Sequence, residues 1–453
     1  MQALLNVVSV VFWGVVLLSV LVFVHEGGHF LASRALGMRA TEFFLGLPSN
    51  VKLSRKSKKL GTEFGVTPIL LGGYTMICGM EGVEDELLAQ ALQVVTERGS
   101  INSLELAEEL GCDEERAWRM LATLADWASV RRVTFDDGTE RYLTMRRDAN
   151  LLTEYDRGHD FEAEGTTEEG EPRETGLTAD EFLAQERSHT FAGHGFWHRV
   201  IVLLAGPLVN ILLAVVVYVL LFSAAGVTFY NPYSNAIGSV ESDSLAAMAG
   251  LEKGDKLVSI AGVEVNDWYD ISNRLDEVLA RGEDFEVVYV RDGASTTVLV
   301  DQDEANPSDV FGITVAKEVK RVSVADSLSG AFSYAWQVAS FAVQLIMPTH
   351  TVATLEQTSS VIGISIIASQ AASTGIRDFM LIMVAVSMSL GFMNLLPIPP
   401  LDGGKILVEL IQLIIRRPLS RRVQNAISYV GLAFFLAIFV VAVKNDVITY
   451  LIG

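Results

Sequence analysis

The sequence predicts a polytopic α-helical membrane protein with four transmembrane helices, a membrane-associated β-hairpin and two inserted soluble parts. Three observations carry that prediction. Half of the 453 residues are apolar, too many for a soluble chain, while one in five is charged, too many for a bundle of spans alone. The net charge of −21 is uneven, because most of it lies between Glu84 and Arg187. Four segments, near 3–24, 200–222, 378–396 and 427–443, come close to the roughly 20 apolar residues that cross a bilayer as helix. The two cysteines, Cys78 and Cys112, stand in segments of different character and suggest no disulfide framework.

The first span occupies 1–37. Its start, "MQALLN", has no basic leader and no small-residue cleavage site follows, so it reads as a retained helix rather than a signal peptide. The second span occupies 196–224, the third 378–404 and the fourth 425–444. Lysine and arginine follow the first span (Arg34, Arg39, Lys52, Arg55, Lys56, Lys58, Lys59), precede the second (Arg199) and follow the third (Arg416, Arg417, Arg421, Arg422). The positive-inside rule makes those places cytoplasmic and puts the N-terminus and the stretch 228–377 outside an inner (plasma) membrane. Segment 325–348 is apolar too, but a span there would carry the arginines at 416–422 outside. Its Ser, Tyr and Gln content suits a membrane-associated helix.

The soluble parts differ from each other. Residues 85–147 run helix, helix, helix, then two short β segments around an Asp-Asp-Gly turn, an order that resembles a winged helix. The acidic stretch that follows, 148–190, is poor in apolar residues and reads as a disordered linker. Residues 235–316 contain "SLAAMAGLEKGDKLVSIAGVEVNDW", which resembles a PDZ domain of the bacterial protease type, here a single extracytoplasmic copy.

The chemistry concentrates in "HEGGH". On a helix His25 and His29 are one turn apart on one face, where two imidazoles can share a metal, and Glu26 falls beside them, able to take a proton from water. The bland alternative is a helix end with polar residues at the interface, yet three ionisable groups within five residues are expensive near a bilayer. A hydrolytic zinc site needs three protein ligands and an open position. His159, His189, His194 and His198 lie in or after the acidic stretch, and His350 is expected on the far side of the membrane. Asp402, in "NLLPIPPLDGGK", follows the third span on the same side as His25 and His29. Taken alone it reads as the N-cap of the next helix. Pro397, Pro399 and Pro400 favour ligation, because broken backbone at membrane depth is tolerated only where it is buried in protein or lines a watery cavity. Asn394 is expected on the last helical turn facing that cavity.

With "HEGGH", "AGPLVN" (Ala205 to Asn210), the PDZ signature and "NLLPIPPLDGG" (Asn394 to Gly404), the chain resembles the site-2 proteases, intramembrane zinc metalloproteases, and among them the bacterial RseP type. The resemblance implies Zn2+ on His25, His29 and Asp402, Glu26 as general base and Asn394 in contact with substrate. "EFGVTPILLGGYTMICGM" (Glu63 to Met80), within a hairpin expected over 60–82, resembles the family's membrane-dipping β-hairpin, with Gly72 and Gly73 at the substrate. Its strand edge would pair with an unwound stretch of a transmembrane substrate. The chain departs from the family at "SSVIGI", where Ser360-Val361 replaces the usual Gly-Pro, and in having one PDZ domain where RseP has two.

The resulting expectation is an intramembrane zinc endopeptidase acting on single-span membrane proteins, such as anti-sigma factors or signal-peptide remnants, in contact with membrane lipid. The competing readings are a membrane-tethered winged-helix regulator with a structural metal site and an ion transporter, although the two halves share no pattern of repeats. Nucleic acid is a disfavoured partner, since the third helix of the insert starts Asp113, Glu114, Glu115 where a DNA reader needs base-contacting residues. A cytoplasmic protein partner of the insert is the preferred reading.

Overall fold

The computed structural model describes residues 2–80, 85–302, 310–347, 349–355, 357–417, 419 and 421–452. Two compact units arise, one of residues 1–217 with 331–453 and one of residues 218–330.

The larger unit opens with α1 (Gln2–Ala35), whose helix continues unbroken from the apolar run through the histidine motif. Four strands follow, β1 (Ala40–Leu45), β2 (Leu53–Lys56), β3 (Glu63–Val66) and β4 (Gly73–Ile77). They form one sheet in the order β2-β3-β1-β4, with β1 parallel to β3 and antiparallel to β4. The segment expected as a hairpin over 60–82 is therefore not one, and its residues 81 and 82 lie outside the described residues. Its two strands flank β1, because "ATEFFL" buries Ala40, Phe43 and Phe44 and takes the central position.

The insert packs α2 (Leu88–Arg98), β5 (Ser100–Ile101), α3 (Ser103–Leu110), α4 (Glu114–Asp126), β6 (Val130–Thr134) and β7 (Glu140–Thr144) around one core, with the sheet order β5-β7-β6. Leu92, Leu106, Met120, Leu121 and Tyr142 meet there, each less than 2% exposed. Asn102 caps α3 in a capping box with Glu105, and Asp113 caps α4.

The stretch 148–190, expected as a disordered linker, is ordered. Arg147 bridges to both Thr153 and Thr167, and α5 (Ala179–Ser188) brings Phe182 into the core of the insert and buries Glu186. Its carboxylates have partners that composition does not reveal. Asp156 and Glu186 both hold the buried Arg39 guanidinium at 2.8 Å, and Glu186 also takes Arg147 at 2.9 Å.

α6 (Phe196–Leu220) follows, with Pro207 inside it. In the smaller unit, β8 (Val227–Tyr230) pairs with β15 (Lys317–Lys320). Between them lie β9 (Ile237–Val240), α7 (Leu245–Met248), β10 (Lys256–Ile260), β11 (Val263–Glu264), α8 (Trp268–Leu279), β12 (Phe285–Arg291), β13 (Ala294–Val300) and β14 (Ile313–Val315). They form a four-stranded sheet, β11-β10-β12-β13, and a pair, β14-β9, around Leu257, Ile260, Ile271 and Val287.

The chain continues through α9 (Val324–Ile346), α10 (Thr351–Leu355), α11 (Val361–Thr374), α12 (Ile376–Asn394), α13 (Asp402–Ile415) and α14 (Arg421–Val447). Among the described residues, four helical stretches are long and apolar enough to cross a membrane, Leu5–Ala35, Phe196–Ala224, Ile376–Asn394 and Val423–Tyr450, and α9 is not among them. The 14-residue α11 was not expected. It packs along α1, where Gly14 leaves room for Ser365, since a Cβ on Gly14 would come within 2.1 Å of the Ser365 hydroxyl.

Candidate metal and catalytic site

The helix places His25 and His29 one turn apart, and their rings meet edge to face at 4.9 Å. Their Nε2 atoms are 3.3 Å apart. Into the same point comes Asp402, whose Oδ2 lies 3.1 Å from His25 Nε2 and 3.3 Å from His29 Nε2. Asp402 is not an N-cap: that position belongs to Leu401, and Asp402 is the first residue of α13, with its carboxylate turned to the imidazoles. His25, His29 and Asp402 form the one cluster among the described residues able to offer a metal three such atoms.

The triangle fits zinc. A point about 2 Å from all three atoms lies just off its plane, which matches the usual zinc bond to nitrogen or oxygen and leaves one side open. His29 Nδ1 lies 2.7 Å from the Val202 carbonyl, and since it can bond that oxygen only as a donor, Nε2 keeps its lone pair for the cluster. Lys405 Nζ lies 3.7 Å from the other oxygen of Asp402.

A cavity of about 220 Å³ opens on the cluster, lined by Glu26, Gly73, Thr75, Met80, Val202 and Lys405 among others. Thr75 Oγ1 donates to the Glu26 carbonyl at 3.1 Å, and a Cβ on Gly73 would stand 3.2 Å from Glu26 Cγ, so β4 runs beside Glu26. Gly72 and Asn394 do not line this cavity. Gly72 bonds back to Gly46 in the turn before β4, and Asn394 ends α12, from which Leu395 to Leu401 carry the chain on to Asp402.

Sequence reasoning passed over α6 as part of the site. Val202 orients His29, and a Cβ on Gly206 would lie 2.3 Å from His29 Nε2. Gly28 makes the reciprocal approach, its Cβ position being 2.5 Å from the Ala205 carbonyl. The small residues of "AGPLVN" were the available signal, for they let two helices approach closely.

A family model described as peptidase family M50 matches residues 13–438. The chain is 26% identical over 438 residues to a zinc metalloprotease RasP of Geobacillus kaustophilus, covering 96% of each chain. It is 25% identical over 448 residues to the regulator of sigma-W protease RasP of Bacillus subtilis, covering 96% of this chain and 97% of that one. The cluster, the cavity and these matches together identify the chain as a member of peptidase family M50, the site-2 proteases, and an intramembrane zinc metalloprotease.

Proposed function

We propose that this protease cuts the transmembrane segments of single-span membrane proteins, with His25, His29 and Asp402 as zinc ligands and Glu26 as general base. The observation that carries the reading is the convergence of those three side chains on a cavity whose wall is an extended strand, β4. Bound zinc supplies Lewis acidity, polarising the scissile carbonyl and acidifying a water. Glu26, set in the cavity beside β4, accepts the proton of the attacking water and returns it to the leaving amine. The edge of β4 that carries no strand among the described residues takes an unwound stretch of substrate and replaces the helical hydrogen bonds that shield its peptide groups. The curated name of the Bacillus subtilis relative, a regulator of sigma-W, supports a membrane-bound anti-sigma factor as substrate class, with signal-peptide remnants as the other candidate.

Residues 235–316 are proposed as an extracytoplasmic PDZ domain that screens the outer part of substrates, supported by the strand and helix order of the smaller unit. Its residues 303–309 lie outside the described residues. Residues 85–147 are proposed as a cytoplasmic winged-helix-like module that contacts protein rather than nucleic acid. The arginines that would make a DNA patch are already occupied: Arg116 with Asp85, Arg119 with Glu115, Arg131 with Glu169 and Arg132 with Glu140.

The test is Glu26→Gln in the purified full-length protein. Zinc content is expected to stay at the wild-type level while cleavage of a single-span reporter falls at least about 100-fold. Retained cleavage would remove Glu26 from the mechanism.

A further inference from the structure

A second cavity lies between the chain at 397–399, α13 and α14, and we infer that it takes an acyl chain of an anionic phospholipid whose phosphate is held by Arg416 and Arg417 at the turn joining those two helices.

The cavity has a volume of about 640 Å³, and every residue that lines it is apolar. Ile346 of α9 and Leu407 of α13 form part of the wall, with Pro397 to Pro399 on one side and Ile427, Val430 and Phe434 of α14 on the other. Helix and loop meet closely at one point, where a Cβ on Gly431 would stand 1.9 Å from the Pro399 carbonyl. The α14 part of the wall belongs to a stretch long and apolar enough to cross a membrane. Cavities of this size hold ligands, and one with no polar side chain in its wall would strip a polar ligand of its hydrogen bonds, so the group that suits it is hydrocarbon.

The charge that selects the headgroup stands at one end of the same two helices. α13 ends at Ile415 and α14 begins at Arg421, so both run from the cavity to a single turn. That turn is fixed from within: the Leu419 N–H donates to the Gln412 side chain at 3.3 Å, and the Leu419 carbonyl accepts from Gln424 at 2.9 Å. Arg416 and Arg417 are exposed there, and among the described residues neither has a carboxylate partner. Arg199, by contrast, is taken by Glu409 of α13 at 2.9 Å. Arg416 also occupies the left-handed C-cap of α13, with φ of 54°, where glycine is the easier residue. Guanidinium groups with no carboxylate, beside a membrane-spanning helix, suit a phosphate that accepts several hydrogen bonds at once. From Arg421 to Ala426, at the near edge of the cavity, is about 7.5 Å of helix, a gap that the glycerol of a phospholipid bridges. The acyl chain then fills the space behind the loop that leads to Asp402.

The experiment uses the full-length protein in phosphatidylcholine vesicles, doped with phosphatidylglycerol that carries a photoactivatable acyl chain, and maps the crosslinked residues by mass spectrometry. Crosslinks are expected to concentrate on 397–399 and 426–434, at least about fivefold above those from phosphatidylcholine carrying the same chain. Arg416→Gln combined with Arg417→Gln should bring the two lipids to parity, and Val430→Trp, which fills the cavity, should reduce labelling by both. Equal labelling by the two lipids in the unaltered protein, or a preference that survives the double substitution, would overturn the assignment of the headgroup. Labelling spread evenly over the membrane-facing helices, or untouched by Val430→Trp, would overturn the assignment of the cavity. Loss of the crosslinks when excess single-span substrate is added would give the cavity to the substrate instead. The comparison of the two lipids on unaltered protein decides the question if a variant does not fold.

Discussion

His29 is the most constrained side chain of the site: its Nδ1 is bonded to Val202, its Nε2 faces Asp402, and the α-carbon of Gly206 sits against the ring. A methyl group on Gly206 would fall far inside contact distance of the imidazole, and the ring would have to leave its place. We expect Gly206→Ala to weaken zinc binding by about 10 to 100-fold, as other losses of ligand support do. Competition with a chelator measures this, and Gly27→Ala is the control, since a Cβ there meets nothing within 4 Å. Equal zinc retention in both variants would mean that the ring yields freely and that α6 has no part in holding it. Asp402→Ala, by contrast, removes a proposed ligand outright and is expected to lose both metal and turnover.

Among the elements, the join between the end of α1, α5 and β7 carries a buried network of Arg39, Asp156, Glu186 and Arg147. Burial alone would raise the Glu186 pKa, but the charges of Arg147 and Arg39 and their hydrogen bonds outweigh it and hold the carboxyl well below the usual range. Asp156, buried beside Arg39, is held low in the same way. Both folded-state values lie below those of the unfolded chain, so the stabilisation is fully present above about pH 4 and is lost as the pH falls through the folded values. Melting temperature should be flat from about pH 5 to 8 and fall below about 4. Glu186→Gln should cost about 3–5 kcal/mol at neutral pH by leaving two buried guanidinium groups short of charge, and should flatten the acid limb. An acid limb unchanged in that variant would assign the loss to other carboxylates. A second clip joins α11 to α14, where the N–H groups of Ser360 and Gly363 and the Ser360 hydroxyl all donate to buried Asp446. Here Ser360, which stands where the family usually has glycine, acts as N-cap to α11.

For the molecule as a whole, the prediction concerns substrate choice. If the proposed PDZ domain excludes substrates with bulky outer parts, a protease lacking residues 235–316 should cut trimmed and untrimmed single-span substrates at similar rates, while the intact protein prefers the trimmed form. Side-by-side cleavage of the two substrates in vesicles checks this. A preference preserved in the deletion would remove the domain from substrate screening. The ligand cluster lies wholly within the larger unit, so zinc content should survive that deletion.

How much of this was legible in the chain follows from the range of each interaction. The four spanning helices needed only local composition, because a bilayer asks for about 20 apolar residues in a row whatever the rest of the chain does. His25, Glu26 and His29 were legible for a similar reason, since helical periodicity alone puts i and i+4 on one face. Asp402 was reached through local prolines and the sidedness of basic residues. The rest is long-range. The central place of β1 depends on pairing with residues more than 20 positions away, so Glu63 to Met80 looked like a self-contained hairpin. The order of residues 148–190 depends on Arg39, more than 100 positions earlier, so an acidic stretch that looked unable to fold is held by buried charge pairs. Sequence composition determined a membrane-bound metal site; only the tertiary structure decided which backbone edge lies beside it, because hydrogen bonds between distant strands leave no periodic trace in the residues that make them.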